Sequence, residues 1–129
     1  MLAPARPRAP TEASRLARIF SISYDATLLR TRELLLEQMG HSVLSAEGFA
    51  QAFKLCNQGS GFDLMILGHS IPHEDKREII RHCDQTCRCP VLALTRVNEQ
   101  SVPEAARSVD PGDTQAFLAA VRELLGNDV

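Results

Sequence analysis

The sequence predicts an α/β fold: one parallel sheet covered by helices on both faces. Three observations predict it. Strand-like apolar runs alternate with stretches of helical period from residue 16 onward. The run Leu64-Met65-Ile66-Leu67 is apolar at four consecutive positions, as in a strand buried on both sides. The joints carry helix punctuation, with Asp25 or Thr27 and Asp113 as caps and Gly40 and Gly59 as stops.

The elements follow in order. Residues 1–15 hold three prolines and three arginines without apolar periodicity, which predicts a flexible arm; residues 16–129 form the domain. Ile19–Ser23 reads as the first strand. The first helix runs to Met39, with Leu28, Leu35 and Met39 on one side and Leu29 and Leu36 beside them. His41–Ala46 reads as a strand and Phe49–Gln58 as a helix facing inward through Phe49, Phe53 and Cys56 or Ala52. Asp63–Leu67 is the third strand, Asp75–Cys83 a helix, and Val91–Leu94 a strand opened by Pro90. Arg107–Val109 is a short strand, and Phe117, Val121, Leu124 and Leu125 form the core stripe of the last helix.

Composition excludes several classes. A chain of 129 residues with 44% hydrophobic and 23% charged residues has the makings of one ordinary core. A formal net charge of −2 gives no electrostatic case for nucleic acid or an anionic membrane. No apolar run reaches the roughly 20 residues of a membrane span, and residues 1–15 lack the apolar core of a secretory signal, so export is not expected. A cytoplasmic setting with reduced thiols is therefore expected for Cys56, Cys83, Cys87 and Cys89.

In a parallel sheet of this kind, ligands lie beyond the carboxyl ends of the strands. That directs attention to Ser23-Tyr24-Asp25, Gly68-His69-Ser70, Thr95-Arg96 and Arg107-Ser108. Here a family likeness emerges. "RIFSISYD", "FDLMILGHSIP", "PVLALTR" and "RSVDPGDTQAFLAAVRELL" resemble successive segments of a response-regulator receiver domain (CheY-like), the module of bacterial two-component, phosphorelay signal transduction. The resemblance spans Arg18 to Gly126. It implies a flavodoxin-like doubly wound five-stranded parallel sheet of order 2-1-3-4-5.

The resemblance also implies a site. Receivers place an acidic pair after strand one and an acceptor aspartate after strand three around Mg²⁺, a hard ion that wants carboxylate oxygen. A hydroxyl after strand four and a lysine after strand five then meet the phosphoryl group. In this sequence those positions fall on Ser23, Tyr24, Gly68, Thr95 and Arg107. Thr95 alone matches. Gly68 has no nucleophile, Ser23 and Tyr24 carry no charge at neutral pH, and Arg107 offers a planar fork in place of a point charge. Asp63, five residues before Gly68, is roughly 16 Å away along the strand and cannot substitute. Asp25 reads as a helix cap.

Only eleven residues separate Thr95 from Arg107, too few for a helix of ordinary length with its connections. The fourth helix is expected to be shortened or missing.

Three other chemistries compete for these residues. Gly68-His69-Ser70 invites a hydrolase reading with Ser70 as nucleophile, but Pro72 stands where a nucleophile elbow needs a small residue. His82, Cys83, Cys87 and Cys89 invite zinc, yet the C-x3-C-x-C spacing lacks a C-x2-C pair, and Cys83 also fits the inward helix face with Ile79 and Ile80. A small-ligand pocket of Ser23, Ser70, Thr95 and Arg107 competes with a plug formed by Tyr24. His41 and His73 are expected to be exposed, and His73–Glu78 to be the solvated start of a helix. The expectation is a non-enzymatic pseudo-receiver with no cofactor or metal, acting through protein partners or self-association.

Overall fold

A computed structural model of the chain describes residues 17–58, 61–84, 89–96, 98–99 and 102–126. The elements alternate: β1 (Arg18–Ser23), α1 (Ala26–Gln38), β2 (Ser42–Glu47), α2 (Phe49–Gln58), β3 (Leu64–Leu67), α3 (His73–Asp84), β4 (Val91–Leu94), β5 (Arg107–Val109) and α4 (Thr114–Leu124). The five strands pair in parallel in the order β2-β1-β3-β4-β5. This is the predicted doubly wound arrangement, and its reversal of strand order lies between β1 and β3.

Strand alternation divides the core into two layers. Ile19, Leu64, Ile66, Leu92 and Leu94 pack with Leu36 of α1 and with Phe117, Ala120 and Val121 of α4. Phe20, Ile22, Met65, Leu67 and Ala93 face the other way, onto Ala52 and Cys56 of α2 and Ile79, Ile80 and Cys83 of α3. β3 and β4 are buried at every position because helices cover both of their faces.

The caps behave as their residue types dictate. Asp25 Oδ1 accepts the Leu28 N–H at 3.1 Å, and Asp113 Oδ1 accepts the Ala116 N–H at 2.9 Å. Gly40, at φ 94°, lets the chain reverse after Met39. That reversal sends the His41 N–H back to the Leu36 carbonyl, 3.2 Å away, and buries the ring to 6% exposure. The expectation of an exposed His41 is thus corrected by the tightness of the turn.

Two further expectations change. α1 turns its buried face through Leu29, Arg32 and Leu36, whereas Leu28, Leu35 and Met39 are half-buried. α3 begins at His73, and its opening turns are not wholly solvated, because Lys76 is buried. Among the described residues of 95–106 no helix forms. Val102 drops into the core there, and Glu104 pairs with Arg77 of α3 at 2.8 Å. The arm over residues 1–15, Gly59 and Cys87 lie outside the described residues.

Candidate functional site

β1 and β3 deliver Ser23 and Gly68 side by side at the carboxyl edge of the sheet. Gly68 N–H donates to the Ile22 carbonyl at 2.9 Å, which extends the ladder by one step. Ser23 is fully buried; its Oγ accepts the Asp25 N–H at 3.0 Å and lies 3.2 Å from Ser70 Oγ. Ser70 Oγ in turn accepts the Tyr24 N–H at 3.0 Å. The hydroxyls of Ser23 and Ser70 therefore tie the β1–α1 turn to the β3–α3 turn. This explains Ser70 as a turn residue, whose hydrogen bonds among the described residues go to Ser23 and Tyr24 and not to a histidine.

Tyr24 turns toward α3. Its hydroxyl donates to Asp75 Oδ2 at 2.8 Å, and the ring packs against the edge of the α2–α3 layer. Burial, together with the bond to the Asp75 carboxylate and its charge, pushes the phenol's pKa well above the ordinary tyrosine range. The plug expected of Tyr24 is present only as a strut beside the site.

What fills the space at the acceptor position is Arg32. A Cβ built on Gly68 would lie 2.8 Å from Arg32 Nη1, 3.2 Å from Ser23 Oγ and 3.3 Å from the Ile22 carbonyl oxygen. Arg32 comes from the middle of the buried face of α1 and is only 7% exposed. Its aliphatic stem packs like its neighbours Leu29 and Leu36 and carries the guanidinium to the sheet edge. Nη1 is buried without a hydrogen-bond partner among the described residues. Burial pushes the guanidinium's pKa below its usual value, against the opposing charge of Asp25.

A second cation arrives from the opposite layer. Lys76 of α3, 3% exposed, donates from Nζ to the Leu94 carbonyl at 3.1 Å. Its pKa is lowered by burial, with Glu99 opposing. Continuing the β3–β4 register, in which Leu67 pairs with Ala93, sets Gly68 beside Leu94. Arg32 and Lys76 thus reach neighbouring strand ends, roughly 5 Å apart at the backbone.

Thr95 and His69 complete the edge. Thr95 Oγ1 is buried without a hydrogen-bond partner among the described residues. His69 Nε2 stands 3.2 Å from Arg96 Nη2; because a guanidinium can only donate, Nε2 is the acceptor and the neutral ring carries its proton on Nδ1. Burial lowers the His69 pKa, with Arg96, Arg32 and Lys76 adding to the effect and Glu99 opposing it. Arg107 does not join them. Its side chain is 43% exposed and pairs with Glu123 of α4.

The residues present do not fit a magnesium ion. Around Gly68 stand two hydroxyls and a buried guanidinium, a charge of the wrong sign for a dication. The nearest carboxylate of the β1 turn, on Asp25, is engaged in capping α1. Cys83 is fully buried, and among the described residues no three His, Cys, Asp or Glu side chains are placed to hold a metal. No helix among them is long and apolar enough to cross a membrane.

Sequence reasoning placed Ser23, Tyr24, Gly68 and Thr95 at this edge and missed Arg32 and Lys76. A signal existed for both. Arg32 lies at i+3 from Leu29 and four before Leu36, while Lys76 precedes Ile79, Ile80 and Cys83 by 3, 4 and 7.

No family model matches the chain, and no curated protein does. Solved structures do. A two-component response regulator from Clostridium difficile is 20% identical with a TM-score of 0.73, over 85% of this chain and 96% of that one. A response regulator from Thermotoga maritima in complex with Mg²⁺–BeF is 20% identical with a TM-score of 0.69, over 84% and 99%. CheY6 from R. sphaeroides, solved with the phosphorylated P1 domain of CheA3, belongs to a structure that is 16% identical with a TM-score of 0.68, over 85% and 97%. The likeness is one of fold: the chain has the architecture of CheY-like receiver domains.

Proposed function

We propose that this chain is a pseudo-receiver: a receiver-fold module of two-component-type signalling that takes no phosphoryl group from a donor and works by contacting a protein partner. One observation carries the reading. At the strand position where a receiver holds its acceptor carboxylate, this chain has Gly68, with the Arg32 guanidinium in the space a side chain would need. A glycine cannot attack phosphorus, and a cation there opposes the metal that such attack requires. The connection after Thr95 departs from a receiver as well, since no helix forms among its described residues. A partner that reads this face would meet Val102–Arg107 folded against α3.

The partner reading draws support from the R. sphaeroides neighbour, in which CheY6 is in complex with the phosphorylated P1 domain of CheA3. The test is incubation of the full chain with acetyl phosphate and Mg²⁺, followed by intact mass spectrometry. The unmodified mass is expected at all times. A hydroxylamine-sensitive phosphoryl adduct on any carboxylate of the chain would overturn the proposal.

A further inference from the structure

Two cavities flank His69 just beyond β3. The smaller, of about 340 Å³, is lined by His69, His73 and Lys76, and its one carboxylate among the described residues is Glu99. The larger, of about 470 Å³, is lined by His69 and Arg96, and its one carboxylate among the described residues is Asp110. Each carboxylate closes a turn of its own. Glu99 Oε1 accepts the Arg96 N–H at 3.0 Å, while the Glu99 N–H donates to the Arg96 carbonyl at 2.9 Å. Asp110 Oδ1 accepts the Gly112 N–H at 2.7 Å. A carboxylate has acceptor capacity to spare beyond one such bond, so both can also take a cation.

The contact between the two cavities depends on a lone pair. Arg96 Nη2 stands 3.2 Å from His69 Nε2, and a guanidinium has donors only. An imidazolium has no lone pair to offer, since both of its nitrogens carry protons. Protonating His69 therefore sets donor against donor and cation against cation. Around the ring stand Arg96 and Glu99 from the segment after β4, Arg32 from α1, His73 and Lys76 from α3, and Asp110 from the turn after β5. Burial opposes protonation, as do Arg96, Arg32 and Lys76, while Glu99 favours it. The Arg96 contact therefore persists at neutral pH and gives way in acid.

We propose that His69 is an acid-operated latch: on protonation it exchanges Arg96 for Glu99 across the smaller cavity, and Arg96 moves across the larger one to Asp110. The exchange couples two turns to the charge of one ring. The Arg96–Glu99 turn loses its side-chain tie as Glu99 swings to the imidazolium, and the Asp110–Gly112 turn gains a cation. The first of these turns lies in the segment where no helix forms among the described residues. The inference goes beyond the signalling reading and does not rest on it.

The test is a pH titration of the full chain by NMR, from about pH 8 to about pH 5, across the range in which histidine changes charge. The readouts are the ring carbon and nitrogen shifts of His69 and the amides of Arg96 and Gly112. Expected are the Nδ1–H tautomer at neutral pH, a midpoint below the ordinary histidine value of about 6.5, and Arg96 and Gly112 amides that share that midpoint. Arg96→Gln removes the opposing cation, so the His69 midpoint rises and the Gly112 amide no longer follows it. Glu99→Gln removes the imidazolium's partner, so the midpoint falls. Both side chains are exposed, and neither substitution opens the core. An Nε2–H tautomer, amides that titrate apart from His69, or a midpoint unmoved by either one of the substitutions would overturn the proposal.

Discussion

Arg32 Nη1 lies 2.8 Å from the point where a side chain on Gly68 would begin. The guanidinium of α1 and the bare backbone of β3 therefore occupy one space between them, and each depends on the other. Gly68 does not need left-handed backbone, so conformation alone does not demand glycine there.

The first prediction isolates that dependence. Gly68→Ala is expected to destabilise the fold by about 1–3 kcal/mol, the usual cost of overpacking a close-packed site. In an Arg32→Ala background the same change is expected to cost markedly less, because the contact at 2.8 Å is gone and the next nearest atoms, Ser23 Oγ and the Ile22 carbonyl oxygen, stand at 3.2 and 3.3 Å. Denaturant unfolding of the four proteins measures the coupling. Equal costs in both backgrounds would place Arg32 elsewhere.

Arg32→Met and Lys76→Met are expected to leave stability within about 1 kcal/mol of the parent or to raise it, since an apolar side chain of similar volume removes an unpaired buried charge. Chemical denaturation in chloride buffer checks this. A loss of several kcal/mol in either variant would mean that the cation is firmly paired.

Tyr24 is the only tyrosine, so its ionisation can be followed directly by ultraviolet absorbance. Its pKa is raised by burial and by Asp75, so the folded chain keeps the phenolic proton where the unfolded chain, near pH 10, releases it. The stability this contributes is fully present below about pH 10 and is lost as pH rises toward the folded value. Tyr24→Phe is expected to cost about 1 kcal/mol at neutral pH and to flatten the alkaline limb of a stability–pH curve. An absorbance midpoint near 10 in the folded protein would contradict the Tyr24–Asp75 bond.

His69 works in the other direction. Its pKa is lowered by burial and then by Arg96, Arg32 and Lys76, so the folded state resists protonation. The stability it contributes is present above about pH 6.5 and is lost as pH falls through the lower folded value. His69→Gln is expected to remove that acidic slope in thermal melts between pH 7 and pH 5. An unchanged slope would assign it to another group.

Most of the architecture was legible because it follows from period and punctuation. Leu64–Leu67 is strand and Phe49–Gln58 is helix as expected, and Asp25 and Asp113 cap their helices. The lost helix after Thr95 followed from counting residues. The site was half legible. Matching strand ends to a receiver found Gly68 and Ser23, but that matching looks only at strand ends. Arg32 and Lys76 reach the edge from helix interiors through long apolar stems, and Lys76 lies in the stretch His73–Glu78 whose charges pointed to solvent. His41 was missed because a turn's tightness, not its residue's polarity, decided burial. Arg107 was placed at the site by its strand position, yet its side chain leans toward Glu123 on α4.

The most direct measurement of the inverted charge at this edge is a magnesium titration followed by amide NMR, with sodium chloride at matched ionic strength as reference. The account predicts no saturable change at Ser23, Tyr24, Asp25 or Gly68. Saturating shifts confined to those residues would mean that a dication binds where Arg32 is held to lie, and the pseudo-receiver reading would fall.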